Sequence, residues 1–89
     1  MRKLKYEPLA ERLLRVPSSQ HTVTLTFAEI EETIGSTLPK SARQYREWWN
    51  YERHPQPVQK VAWQGAGWVV HAVDLVTERV TFHPRQARQ

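Results

Sequence analysis

The chain contains no cysteine, which removes disulfides, thiolate zinc sites and a cysteine nucleophile together. Its single aspartate, Asp74, falls in a hairpin by pattern, and Glu29, Glu31 and Glu32 read as one solvated helix face. The converging carboxylates of a metal-dependent nuclease are therefore not expected. Only three glycines are present, and Gly65 and Gly67 bracket one alanine with no lysine, serine or threonine following, so there is no phosphate-cradling loop. No apolar run approaches the ~20 residues of a membrane span. The start MRKLKYEPL is basic but lacks the apolar stretch of a signal peptide. These absences point to a cytoplasmic protein without cofactor or metal.

What remains is a chain of 89 residues, read as one domain over 1–89 with a modest core and room for one small site. The hydrophobic share of 39% is low, yet the apolar residues are clustered and periodic and include four tryptophans, which excludes a disordered chain. The net charge of +4 is unevenly spread. Residues 1–5 and 84–89 read as flexible basic tails, 27–35 is acidic, and 36–60 is basic again through Lys40, Arg43, Arg46, Arg53 and Lys60. A basic segment beside an acidic one gives a polarised surface that attracts a polyanion at one face.

Local patterns supply the elements. Pro8 suits a first helical turn, and Leu9 and Leu13 share a face with Leu14 beside them, so 6–16 reads as a helix ended by Pro17, Ser18 and Ser19. From Thr22 to Phe27 the chain alternates, with Val23, Leu25 and Phe27 against Thr22, Thr24 and Thr26, a half-buried strand. Thr26 and Glu29 have capping-box spacing, Phe27, Ile30 and Ile34 recur at helical intervals, and Gly35 suits a left-handed helix end. Ser41 with Gln44 offers a second capping box for a helix that continues toward His54, its inward stripe being Ala42, Tyr45, Trp48 and Trp49. Val58, Val61 and Ala62 suggest a short further helix closed by Gly65. Trp68 onward is a hairpin, turning near Thr77 and Glu78, with Val80 and Phe82 inward. Phe27, Ile30, Leu25 and Phe82 are the expected core.

The resulting class is α+β and winged-helix-like: helix, strand, helix-turn-helix, a short extra helix and a C-terminal β-hairpin. Several stretches also resemble the phrasing of a family of small, uncharacterised bacterial domains: VTLTFAEIE at Val23–Glu31, LPKSAR at Leu38–Arg43, the Trp48 and Trp49 pair, and GWVVHAVDLVTERVTF at Gly67–Phe82, with Ala72 in a variable slot. That family occurs alone and beside nuclease or restriction-type modules, so the resemblance implies work linked to DNA. It carries over no catalytic or ligand residue.

On a helix-turn-helix, exposed side chains of the second helix meet base edges and phosphates. Arg43, Gln44, Arg46 and Asn50 would be those side chains, with Lys40 placed for phosphate, Arg53 adding charge at the helix exit and Arg79 making the hairpin contact. The expected function is non-enzymatic binding of nucleic acid, duplex DNA first and RNA second. Against it stands an ordinary solvated face with an Arg43–Glu47 pair worth ~0.3–0.5 kcal/mol. The rival function is a protein-interaction module whose Trp-rich face recruits a nuclease or regulatory partner; a tiny hydrolase is the third. Neighbouring residues on a helix lie ~100° apart, so Trp48 and Trp49 cannot both point inward from one helix. His21, His54, His71 and His83 follow no helical ligand spacing, and although His71 and His83 can meet across the hairpin, a pair supplies few ligands.

Overall fold

A computed structural model of the chain describes residues 5–17, 19–50 and 58–85, with Asn50 and Val58 described by backbone only. Helix α1, Glu7–Leu14, begins with a proline in its first turn and buries Leu9 and Leu13, while Leu14 on the neighbouring face is 65% exposed. Strand β1, Val23–Thr26, leads without a loop into helix α2, Phe27–Ile34. The junction is the expected capping box. The Glu29 amide donates to Thr26 Oγ1 at 3.0 Å and the Thr26 amide donates to Glu29 Oε1 at 2.8 Å. Gly35 ends α2 with φ of 70°, a conformation that would strain any residue carrying a Cβ.

The next segment departs from expectation. Instead of one helix running toward His54, the chain makes α3, Lys40–Gln44, and α4, Glu47–Asn50, separated by an extended Tyr45. Pro39 occupies the N-cap of α3 and no side chain caps it, so the Ser41/Gln44 box does not form. The break frees the Ala42 carbonyl, which would have accepted the Arg46 amide in a continuous helix. The indole of Trp49 takes that acceptor at 2.8 Å, buried. Tyr45, expected inside, is 57% exposed because the extended residue resets the helical phase. Both tryptophans gain from the reset: Trp49 is fully buried, and Trp48 packs half-buried against Tyr6 and Trp63, with ring centroids at 5.9 and 6.4 Å.

Helix α5, Val58–Gly65, precedes strands β2, Trp68–Asp74, and β3, Arg79–Pro84. The strands form one antiparallel sheet in the order β1-β3-β2. Val23, Leu25, Val70, Val80 and Phe82 share its inner face, paired Val23 with Phe82, Leu25 with Val80 and Val70 with Phe82. β3 runs into the segment expected as a tail: Pro84 pairs with Trp68, and the Arg85 amide donates to the Gly67 carbonyl at 2.7 Å.

The core is built on a column of rings. Phe27 stacks on Trp49 at 5.3 Å, Trp49 on Trp63 at 5.8 Å, and Trp63 meets Phe82 edge-on at 5.7 Å, joining α2, α4, α5 and β3. Phe27, Ile30, Leu25 and Phe82 are all buried, as the periodicity predicts. Two buried indoles donate to backbone carbonyls, Trp49 to Ala42 and Trp68 Nε1 to Leu13 near the end of α1 at 3.1 Å. In α5 the phase differs from the Val58, Val61, Ala62 pattern: Gln59, Lys60 and Trp63 are the buried residues and Val61 is 53% exposed.

Candidate nucleic-acid interface

The α3 helix lies beside the turn of the β2–β3 hairpin, and Arg43 fixes it there. Its two terminal nitrogens donate to Glu31 Oε2 and Glu78 Oε2, both at 2.7 Å, and its guanidinium lies 5.5 Å from the centre of the Phe27 ring. Glu31 Oε2 also accepts the Leu38 amide at 2.8 Å. That backbone bond, then the Arg43 bond, hold the Glu31 carboxyl below its usual range. The expected Arg43–Glu47 pair on one helix is replaced by ion pairs to α2 and the hairpin. Arg43 thus serves as a clamp, with its fork-shaped donor set already engaged.

The hairpin turn is shaped for this contact. Asp74 Oδ1 accepts the amides of Val76 and Thr77, at 3.0 and 3.1 Å, and the Thr77 bonds lead the causes that hold its carboxyl low, with Val76 and the charge of Arg46 assisting. Glu78 has φ of 57°, unusual for a residue with a side chain, and its carbonyl accepts the Phe27 amide at the start of α2 at 2.9 Å.

The other expected contact residues are distributed as follows. Lys40 and Gln44 are exposed at the two ends of α3. Arg46, exposed in the turn between α3 and α4, donates through Nε to the Val73 carbonyl at 3.1 Å, at the edge of the sheet where β2 has no further strand. Arg79 is exposed on the outer face of β3, opposite Asp74 on one side and Thr26 on the other. Asn50 lies in α4 with its side chain outside the described atoms, and Arg53 lies outside the described residues.

The sheet's outer face therefore carries a shallow groove of about 590 Å³, lined by Arg46, Asp74 and Arg79 together with Thr24, Thr77 and Thr81. Thr24 and Thr81 face each other across β1 and β3 with their hydroxyl oxygens 3.1 Å apart. The Thr22, Thr24, Thr26 alternation places Thr24 on the polar side of β1, but the partner that makes it part of a groove, Thr81, lies far along the chain. A second groove of about 420 Å³ lies along β2 beside Glu47 and His71 and shares Arg46.

The Trp-rich surface expected for a protein partner is not a surface. Trp49, Trp63 and Trp68 are buried, and Trp48 is half-buried against them. Among the described residues no three His, Cys, Asp or Glu side chains converge on a common point, and no helix is long and apolar enough to cross a membrane.

The model of a protein family described as a domain of unknown function, DUF7662, matches residues 6–86, from the end of the basic start through β3. The chain belongs to this family. No curated protein and no solved structure matches it. The match spans every element of the fold, so α1, the clamp at Arg43 and the outer sheet face all lie within the DUF7662 domain.

Proposed function

We propose that this domain binds nucleic acid, with duplex DNA as the first choice, and acts by binding without chemistry. The observation that carries the reading is the placement of Arg46 and Arg79 on one hydroxyl-lined groove of the outer sheet face, with Lys40 and Gln44 exposed on the adjacent α3. Cationic and hydroxyl side chains on an open face are the donor set that neutralises and positions a phosphate backbone. The order helix-turn-helix then hairpin supports a winged-helix mode of docking, with α3 toward the duplex and the hairpin turn beside it. A helix of five residues is only ~7.5 Å long, and its Arg43 is held by two carboxylates, so base reading is restricted and binding is expected to be weakly sequence-dependent.

A titration of the domain with duplex DNA at two salt concentrations tests this. With about four phosphate contacts, log affinity should fall against log salt with a slope near −3 to −4. The double change Arg46→Ala and Arg79→Ala should weaken binding at least tenfold at low salt and flatten the slope by about 2, with only a small drop in thermal midpoint, because both side chains are exposed and Arg46 gives up a single exposed hydrogen bond, to the Val73 carbonyl. Unchanged affinity and slope in that variant would move the contact surface away from the sheet's outer face.

A further inference from the structure

The β2–β3 ladder slips by one residue between Val70 and Ala72, and the residue left over is His71. The slip sets its ring beside that of His83 on β3, with ring centroids 5.1 Å apart and planes at 83°. His71 is exposed and His83 half-buried at the end of the sheet. His83 Nδ1 lies 3.0 Å from the Pro84 carbonyl oxygen. A carbonyl can only accept, so this contact selects the tautomer with the proton on Nδ1 and leaves the Nε2 lone pair available, the arrangement that orients a ligating imidazole.

We propose that His71 and His83 form an exchangeable two-imidazole site for a tetrahedral divalent transition ion, Zn²⁺, with solvent in its remaining positions. A nitrogen ~2.0 Å from zinc places its ring centroid ~3.2 Å from the ion, so two rings at the tetrahedral angle stand ~5.2 Å apart. The observed 5.1 Å lies close to that separation, so small ring rotations bring both imidazoles within reach of one ion. Perpendicular ring planes are compatible with a shared ion, since rotation about the second side-chain torsion is soft for histidine. Two protein ligands are fewer than a structural zinc site uses, so the ion binds weakly and exchanges, and the fold does not depend on it. The site is independent of the nucleic-acid reading, because neither imidazole belongs to the Arg46 and Arg79 pair.

The test is a titration of the whole chain with Zn²⁺ alone, followed by calorimetry and by the histidine ring signals in NMR spectra. One ion per chain is expected, with the His71 and His83 signals moving together and that of His21 staying in place. His71→Ala or His83→Ala should each weaken binding at least tenfold, and His21→Ala should leave it unchanged. Ring signals that stay still in the unaltered chain would overturn the proposal, leaving the pair as an edge-to-face contact. So would affinity that survives both substitutions.

Discussion

Arg43 ties α3 to two other elements with one side chain: α2 through Glu31 and the Phe27 ring beneath it, and the hairpin turn through Glu78. Glu78 occupies a positive-φ position where glycine would be easier, and its carboxylate is what a glycine would lose. Because the Arg43 side chain is 34% exposed, each ion pair keeps only part of its strength. Arg43→Ala should lower stability by about 1–2 kcal/mol and the melting midpoint by roughly 5–10 °C. A change that cost no stability would show the clamp to be idle. Glu31 adds a pH signature. Its carboxyl is held low by the Leu38 amide and Arg43, so the folded state gives up that proton more readily than the unfolded chain. Its contribution is complete above the unfolded value of about 4.3 and is lost as pH falls through the lower folded value. In urea melts, Glu31→Gln should be less stable than the parent at neutral pH, with the gap closing as pH drops below about 4. The sequence identified Arg43 as a key residue but not its role, because both partners lie far away in the chain.

Elements were legible where their determinants are local. The Thr26/Glu29 capping box, the glycine at the end of α2 and the alternation of β1 and β3 follow from spacings of a few residues, and all are present. Thr26→Ala should therefore cost about 1 kcal/mol while Thr26→Ser costs much less, as thermal melts of the two variants would show. Equal losses would mean that the threonine methyl group, and not the cap, carries the effect. The break at Tyr45 had no such local signal, since neither glycine nor proline marks it. It is held by long-range partners: the indole of Trp49 on the Ala42 carbonyl, Arg46 on the edge of β2, and Arg43 on two carboxylates. Helical periodicity extrapolated through 45 therefore put Tyr45 inside and spread the contact residues along one face. The outer groove likewise depends on β1 joining β3, which sets Thr24 opposite Thr81.

At the scale of the whole molecule, the charge is divided in a way that the total conceals. The described residues hold nine lysines and arginines against eight aspartates and glutamates, so three of the four net positive charges belong to other segments, chiefly Arg2, Lys3 and Arg88 at the two ends. On the folded face Arg43 is neutralised by Glu31 and Glu78, and Asp74 lies in the same groove as Arg46 and Arg79. Long-range attraction of a polyanion should then come largely from the ends, and register on the duplex from the groove. Removing residues 1–4 and 86–89 separates the two contributions. If the terminal cations supply about two of the four phosphate contacts, each releasing about 0.9 counterion, the slope of log affinity against log salt should become shallower by about 2, while Arg46→Ala with Arg79→Ala still weakens the binding that remains. An unchanged slope would show that the ends do not touch phosphate. Loss of all binding on truncation would show that the groove contributes nothing by itself, and the outer face of the sheet would then need another partner.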